Sequence, residues 1–289
     1  MKKPDTLWHQ AFLLSVITLL HLINGVASSQ IDVNDRGLQY GDGFFTTMLV
    51  TDGHAQWWDH HLARLQTSAQ RLYISGIDWH RLERDVFATA SAQPSSVIKV
   101  VITRGSGGRG YSPQGCNLPS VIVSQFAVPA HVDAWQQNGI SLGVAKFKLG
   151  VSPALAGLKT LNRLEQVLGR QEVLALGVDD AVFCNVNGDV IETNAANIFW
   201  RKDELVYTCD LCGSGVAGVM SQVVLDTLSA ENIPFNVVKG TLDALRSADE
   251  IWITNSVQQV VPVRLFDGRV MQDFAFSRRL QAIIMEGNR

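Results

Sequence analysis

The chain has 289 residues, of which 46% are hydrophobic and 18% are charged, and its formal net charge at pH 7 is −3. These proportions are ordinary for a soluble globular enzyme of one large or two modest domains. The small negative charge and the lack of a Lys/Arg-rich run argue against a nucleic-acid partner.

The four cysteines, at positions 116, 184, 209 and 212, are too few and too scattered for a disulfide framework. Cys209 and Cys212 form a C-x-x-C pair, but a zinc site needs a second ligand pair at a comparable spacing. A thioredoxin-type motif needs a strand-to-helix context, which is also missing. We therefore predict no metal site and interpret both residues as reduced thiols in a loop.

The N-terminus allows two interpretations. Two lysines precede an apolar run over residues 11–23, a pattern typical of a secretory signal. Alternatively, residues 21–25 are the first strand and turn of the fold, which cleavage near Ala27 would remove. The run is also short for a membrane span. We therefore predict a cytoplasmic protein without a membrane partner, whose residues 1–20 are an extraneous extension.

The first predicted elements are a hairpin and a helix. Strands over 44–50 and 54–58 flank an Asp52-Gly53 turn. Asp59 is the predicted N-cap of the helix that follows. Its apolar residues recur three or four positions apart, at Leu62, Leu65, Ala69 and Leu72.

Two β-branched runs, 97–103 and 120–126, predict buried strands. The segment 127–135 contains Pro129 and is the predicted connection between domains. Residues 21–126 would then form the smaller domain.

A helix and a hairpin are predicted next. The helix ends at Gly177. Its predicted apolar face consists of Leu161, Leu164 and Leu168. Strands over 181–185 and 190–193 are joined by Asn187-Gly188, which favours a two-residue type I′ turn.

A further hairpin is predicted over 197–200 and 205–208, Gly218 opens a helix, and 250–254 is a late strand. Strands and helices mix without strict βαβ alternation, which predicts an α+β fold. Residues 136–289 would form the larger domain.

Residues 105–110 match the spacing G-x-G-x-x-G after a strand. A dinucleotide site needs a helix to follow, and the chain continues instead with a segment that contains proline. The interpretation that remains is a flexible loop whose Arg104, Arg109 and Tyr111 suit the binding of carboxylates. A solvated surface loop is the alternative.

Lys159 and Glu192 are candidate functional residues. Lys159 has apolar neighbours, which would desolvate its amine and make it nucleophilic, although a lone lysine is more often a surface residue. Glu192 lies in an apolar strand, where a carboxylate needs a cationic partner. A protonated pyridine nitrogen or an arginine would serve.

Two segments could bind phosphate. Residues 215–218 lead into a helix whose free N–H groups suit an anion, or they are an ordinary glycine-rich turn. Arg64 is either a phosphate ligand or an exposed residue of its helix.

In combination and in order, these segments resemble the fold type IV pyridoxal-phosphate enzymes. Residues 33–47 are similar to the opening signature of that family, and 60–65 to its phosphate-binding arginine motif. Lys159, Glu192-x4-Asn197 and Gly218-Val-Met follow in the expected order. The resemblance runs from about residue 22 almost to the C-terminus. The family includes the branched-chain aminotransferases, D-amino acid aminotransferase and the aminodeoxychorismate lyases.

Within the family, residues 159–168 and 104–112 are similar to the lysine segment and the substrate-side loop of the aminodeoxychorismate lyases. Leu164 stands where the branched-chain aminotransferases have a tyrosine facing the cofactor. Thr254-Asn255-Ser256 replaces their Gly-Thr phosphate loop. These departures favour a lyase over a transaminase.

The resemblance implies a two-domain α+β homodimer that binds pyridoxal 5′-phosphate. Lys159 would carry the cofactor and act in catalysis, Glu192 would face the pyridine nitrogen, and Thr47 would assist proton handling unless it is a buried structural threonine. The other implied cofactor ligands are Arg64, Asn197, Val219, Met220, Asn255 and Ser256. The implied substrate ligands are Arg109 and Tyr111, followed by Arg104.

The implied reaction converts 4-amino-4-deoxychorismate to p-aminobenzoate and pyruvate in folate biosynthesis. Two alternatives stay open. A D-amino acid or branched-chain aminotransferase of the same fold would need an amino acceptor, and a binding protein would lack the cofactor altogether.

Overall fold

The computed structural model describes residues 18–287. Of the predicted N-terminal extension, residues 1–17 lie outside the described range. Residues 18–20 belong to the first strand, in which Thr18 pairs with Phe126. Among the described residues, no helix is long and apolar enough to cross a bilayer.

The first half of the described chain builds a six-stranded antiparallel sheet in the order β2-β1-β6-β5-β3-β4. Its strands are β1 (Thr18–Ile23), β2 (Val26–Ala27), β3 (Gly43–Thr51), β4 (His54–Ala55), β5 (Ser95–Thr103) and β6 (Ser120–Phe126). Its helices are α1 (Arg36–Tyr40), α2 (Trp58–Arg71) and α3 (Trp79–Ser91). The predicted strands near 44, 97 and 120 are therefore confirmed.

One face of this sheet is covered by α2 and α3. Phe44, Met48 and Ile98 are fully buried against Leu65 and Leu82 of the two helices. Alternation along β3 sends residues 44, 46 and 48 to this face and residues 45 and 47 to the other, because successive side chains of a strand point to opposite sides. The second face is free to build a site.

The predicted N-cap of α2 is wrong. The helix begins at Trp58, and the residue at its N-cap is Trp57, which has a left-handed φ of 51° and makes no capping hydrogen bond. Asp59 lies in the first turn instead. A carboxylate in the first turn also interacts favourably with the positive end of the helix dipole. Asp59 therefore marks the start of the helix in the sequence although it lies two residues after the N-cap.

The second half builds a nine-stranded mixed sheet, in which β12-β11-β10-β13-β14-β7-β8-β9 follow one another and β15 pairs with β14. Its strands are β7 (Ile140–Leu149), β8 (Asp180–Asn185), β9 (Val190–Thr193), β10 (Asn197–Lys202), β11 (Leu205–Cys209), β12 (Phe235–Val238), β13 (Glu250–Asn255), β14 (Gln259–Phe266) and β15 (Arg269–Val270). Its helices are α4 (Val132–Asn138), α5 (Leu164–Leu176), α6 (Val219–Ala230), α7 (Leu242–Arg246) and α8 (Ala275–Gly287). Parallel and antiparallel pairs coexist, as expected for an α+β fold.

Aromatic side chains fill the core between this sheet and the helices α6 and α8. Phe199 stacks on Trp252 with ring centroids 5.8 Å apart and an angle of 9°. Both pack with Val224 of α6 and Leu280 of α8. This core fixes the position of α6, whose first turn contributes to the site described below.

Two loop predictions are wrong in detail. The segment 127–135 is only partly a connection, because α4 begins at Val132. The turn between β8 and β9 is not type I′, since only Gly188 has a positive φ (90°), and its N–H donates to the carbonyl of Asn185. A turn over 185–188 that ends in a left-handed glycine is the type I turn with a bulge, which adds one residue to the loop.

The two cysteines of the C-x-x-C pair have different environments. Cys209 is the last residue of β11 and is buried in the core, so its predicted loop position is wrong. Cys212 is exposed in the loop that follows.

The predicted apolar face of α5 is exposed. Leu161 precedes the helix, and Leu164 and Leu168 are 77% and 56% exposed. The buried face contains Gly169 and Val173 instead. The ring of Phe183 lies so close to Gly169 that a Cβ added there would be 2.6 Å from it, so the sheet selects the face with the smallest residue.

We expect Gly169→Ala to destabilise the protein by about 1–3 kcal/mol through this overlap. The gain in helix propensity, about 1 kcal/mol, acts in the opposite direction and would dominate if the site were open. Denaturant unfolding measures the difference, with the exposed Gln171→Ala of the same helix as the control. A more stable Gly169→Ala protein would contradict the described packing.

Candidate active site

The residues around Lys159 join the two sheets. The N–H of Phe45 donates to the carbonyl of Lys159 (2.9 Å), and the N–H of Leu161 donates to the carbonyl of Gly43 (3.0 Å). Two residues earlier, the carbonyl of Gly157 accepts from the N–H of Ala217 (3.0 Å). Lys159 is therefore held between β3 of the first sheet and the loop that leads into α6.

The amine of Lys159 lies 4.8 Å from the centre of the Phe45 ring. Among the described residues, no hydrogen bond or ion pair to this amine is found. The pKa of Lys159 is lowered to about 8, mainly by burial and then by the charge of Arg64, while the charge of Glu192 opposes the shift. A partly buried amine with a lowered pKa has the properties of the nucleophile that the sequence predicts.

Glu192 lies on β9 and is buried. Its Oε2 accepts from the N–H of Val216 (2.8 Å), and burial raises the pKa of its carboxyl above the ordinary range. The side chain of Asn197 donates to the carbonyl of Val216 (2.8 Å). Asn197 thus shapes the loop before α6.

An anion site lies at the start of α6. Gly218 is its N-cap and provides no side chain, so the first N–H groups of the helix have no capping partner. On α2, which packs against α6, the Nε of Arg64 is buried without a hydrogen-bond partner. A guanidinium and a free helix N-terminus both suit a phosphate. Val219 and Met220 can contribute only through their N–H groups, because their side chains are buried in the core.

Thr46 is a residue of this site that the sequence did not reveal. It is fully buried on the face of β3 that meets α2, where its hydroxyl accepts from Nη2 of Arg64 and lies 2.5 Å from Nδ1 of His61. Burial lowers the pKa of His61 well below its ordinary value, so the ring is neutral. The alternation of β3 was the available signal, since it separates Thr46 from Thr47.

Thr47 lies on the opposite face of β3, the face that carries Phe45, and pairs with Lys99 of β5. Lys99 is a second residue that sequence reasoning missed. Its amine is 4.8 Å from the centre of the same Phe45 ring, and burial lowers its pKa. The signal was a lysine within a run of β-branched residues.

The loop at 254–258 is partly committed to its own structure. The Oδ1 of Asn255 accepts from the N–H groups of Val257 and Gln258, and its Nδ2 donates to the carbonyl of Ala195. The hydroxyl of Thr254 is buried without a partner. The side chain of Asn255 is thus occupied, whereas the hydroxyl of Ser256 makes no hydrogen bond within the described residues and is the more available of the two to a phosphate.

The structure changes the interpretation of the predicted substrate arginines. The guanidinium of Arg104 uses four of its five N–H groups on both carboxylate oxygens of Asp42 and on the carbonyls of Leu72 and Tyr73, which argues against its predicted role as a substrate ligand. Arg109 and Tyr111 are exposed, and Tyr111 is 87% accessible. In the part of the chain that the structure describes, neither contacts Lys159.

Comparisons with known proteins identify a family and similar proteins. The model of the family "Amino-transferase class IV" matches residues 43–266. An aminodeoxychorismate lyase of Vibrio harveyi is 44% identical over 241 residues, which cover 83% of this chain and 89% of that protein.

Several solved structures are also similar. The 4-amino-4-deoxychorismate lyase of Pseudomonas aeruginosa is 34% identical, with a TM-score of 0.88 and coverage of 92% of this chain and 98% of that one. A hypothetical aminotransferase of Mycobacterium tuberculosis in a pyridoxal-phosphate-bound form is 20% identical, with a TM-score of 0.83 and coverage of 93% and 98%. The second likeness establishes the fold alone.

The residues present fit this cofactor. Pyridoxal phosphate carries an aldehyde, a pyridine nitrogen and a phosphate, and the site has an incompletely paired group for each. These are the amine of Lys159, the buried carboxylate of Glu192, and the Nε of Arg64 with the uncapped N–H groups of α6.

Replacement of Thr46 tests the phosphate end of the site. We expect Thr46→Val to weaken binding of pyridoxal phosphate to the apoprotein by about tenfold or more, because Arg64 loses the hydroxyl that orients it. Binding of pyridoxal, which lacks the phosphate, should be unchanged. Titration of the visible absorption band measures both affinities, and Thr46→Ser is the matched control. An equal loss for the two ligands would show that Thr46 does not act through Arg64.

Proposed function

The chain belongs to the class IV aminotransferase family, and we propose that it is a pyridoxal-phosphate-dependent lyase that converts 4-amino-4-deoxychorismate to p-aminobenzoate and pyruvate. The amine of Lys159, unpaired among the described residues and 4.8 Å from the centre of the Phe45 ring, is the observation that carries the proposal. The charges of Arg64 and Glu192 act on this amine. The substrate follows from likeness to the lyases of Vibrio harveyi and Pseudomonas aeruginosa.

Lys159 would hold the cofactor, and its Nζ, released when the substrate amine takes its place, would move the proton. Bound pyridoxal phosphate supplies an electron sink for the charge left when a proton leaves C4 of the substrate, the carbon that bears its amine. Nζ of Lys159 takes this proton as a general base, and the lowered pKa keeps part of the amine neutral near pH 7. Nζ then returns a proton to the departing enolpyruvate. The C4–H and C3–O bonds break, the ring becomes aromatic, and pyruvate leaves.

The remaining residues orient the reacting groups. Glu192 keeps a proton on the pyridine nitrogen, which compensates the burial of its carboxylate. Arg64 and the N–H groups of Val219 and Met220 hold the phosphate, with Ser256 as a further donor. Asn197 acts indirectly, through its hydrogen bond to the loop before α6.

Substrate carboxylates need cations. Lys99 is the candidate within the same subunit. Its half-buried amine and that of Lys159 both lie 4.8 Å from the centre of the Phe45 ring, and the charge of Lys99 lowers the pKa of Lys159. Thr47 lies on that face, and its hydroxyl can donate a hydrogen bond to the substrate. Arg109 and Tyr111 would meet the second carboxylate.

We propose that Arg109 and Tyr111 act in the active site of a partner subunit of a homodimer. Both are exposed on their loop. Exposed apolar side chains are typical of an interface, and here they include Leu118 (81%) near the loop and Leu164 on α5. All four cysteines are free thiols, which favours a reducing compartment and therefore the cytoplasm.

A pyruvate assay tests the reaction. With 4-amino-4-deoxychorismate and no amino acceptor, we expect equimolar p-aminobenzoate and pyruvate, followed by chromatography and by a coupled lactate dehydrogenase assay. Lys159→Ala should abolish turnover and the visible band of the cofactor. The exposed Lys148→Ala of β7 should retain both.

The outcomes separate the alternatives. Transfer of an amino group from an amino acid to 2-oxoglutarate, without release of pyruvate, would indicate an aminotransferase. A purified protein without visible absorbance that does not take up pyridoxal phosphate would indicate a binding protein.

Mixed dimers test whether the loop acts across subunits. Lys159→Ala and Arg109→Ala chains, each nearly inactive alone, should regain about half the activity of the wild-type dimer when they are co-expressed and the mixed dimer is isolated. One of its two sites then combines an intact Lys159 with an intact Arg109 from the partner, which accounts for the recovery. No recovery would show that Arg109 serves its own subunit.

A further inference from the structure

Arg36 is a buried arginine that the proposed mechanism does not use. It lies in α1 with 4% of its surface exposed. Nη1 donates to the carbonyls of Gly110 (2.9 Å) and Ser112 (3.3 Å), and Nη2 donates to that of Tyr111 (3.2 Å). One guanidinium thus binds three consecutive carbonyls of the loop that carries Arg109 and Tyr111.

Asp42 fixes the orientation of Arg36. Its Oδ2 accepts from Nε of Arg36 and from Nε of Arg104, both at 2.8 Å. Burial alone would raise the pKa of Asp42, but the hydrogen bonds and charges of Arg104 and Arg36 outweigh burial and keep it below its ordinary value. The carboxylate is therefore ionised at neutral pH and can orient both arginines.

The base and the tip of the loop are held differently. At the base, the N–H of Arg36 donates to the carbonyl of Gly105, and Ser106 forms a bridge with Asp35. At the tip, the N–H of Ser112 donates to the carbonyl of Arg109, which closes a turn over 109–112. Within residues 18–287, no other side chain from outside the loop donates to the three carbonyls at 110–112.

Aromatic packing continues the same connection. The guanidinium of Arg36 lies 4.9 Å from the centre of the Tyr40 ring. The ring of Tyr40 meets that of Tyr111 edge-on, with centroids 5.6 Å apart. Loss of the Arg36 guanidinium would therefore have two effects. It would free the backbone carbonyls of the turn, and it would weaken the packing of Tyr40 against Tyr111.

We propose that Arg36 is a positioning residue, which holds the turn 109–112 in the conformation that presents Arg109 and Tyr111 to the substrate. This role rests on the proposed function of that loop. Arg36 is buried and uses four of its five N–H groups on the loop and on Asp42. We therefore expect its effect on substrate affinity and not on the proton transfers at Lys159. A lysine cannot replace it, because an ammonium lacks the planar fork that reaches three carbonyls and a carboxylate together.

Kinetics and proteolysis of Arg36→Gln and Arg36→Lys test this role in the holoenzyme. We expect the KM for 4-amino-4-deoxychorismate to rise about tenfold or more with kcat within about threefold, since the loop loses order but the chemistry is intact. The affinity for pyridoxal phosphate should be unchanged. Trypsin should cut the exposed Arg109–Gly110 bond about tenfold faster, as followed by mass spectrometry.

Gly108→Ala is a second variant that leaves Arg36 in place. Gly108 has a φ of 71°, and a Cβ there would lie 2.1 Å from the carbonyl oxygen of Ser112, so the substitution displaces the same turn. It should give the same rise in KM and in cleavage. Arg278→Lys is the matched control, because Arg278 also binds two consecutive carbonyls, those of Gln136 and Gln137, at a distant surface.

A wild-type KM together with a wild-type cleavage rate in both Arg36 variants would overturn the proposal. A fall in kcat as large as the expected rise in KM, with KM itself unchanged, would overturn it as well. The cleavage rate does not depend on the identity of the substrate. If the wild-type enzyme releases no pyruvate but transaminates, the proposed function fails, and the same KM comparison with the amino acid that it does use decides the role of Arg36.

Discussion

Burial of charge around Lys159 is the constraint on which the active site depends. An amine and a carboxylate are taken out of water, which lowers the pKa of Lys159 and raises that of Glu192. Arg64 and Lys99 add positive charge nearby and disfavour the protonated amine further. Such a site favours a ligand that completes its pairs, and the groups of pyridoxal phosphate would do so.

The fold meets this constraint by placing one segment between two sheets. Backbone hydrogen bonds tie the residues around Lys159 to β3 on one side and to the loop before α6 on the other. The elements that position Lys159, Arg64 and the start of α6 are packed into two separate hydrophobic cores, each with aromatic and aliphatic side chains. Residues on rigid elements hold reacting groups more precisely than residues on free loops.

Some arginines are candidate ligands of the cofactor or substrate, and others hold the protein backbone in place. The two groups differ in how many of their N–H groups already form hydrogen bonds within the protein. Arg64 keeps an unpaired Nε in the site, and Arg109 is free at the surface. Arg36 and Arg104 use their donors on Asp42 and on backbone carbonyls. In the sequence all four arginines lie near glycines or apolar residues, so the local sequence does not distinguish these roles. The number of N–H groups that each arginine leaves unbonded distinguishes them.

Ordered motifs in the sequence determined the family and the cofactor, and they predict the roles of Lys159, Glu192 and Arg64. A cofactor with several recognition groups requires particular residue types along the chain. Hairpins and strands also followed from local patterns. Tertiary structure alone decided that Arg104 is occupied, that Lys99 and Thr46 join the site, and which face of α5 is buried. Those outcomes depend on partners distant in sequence, such as Asp42, Phe45, His61 and Phe183, and local periodicity holds no information about such partners.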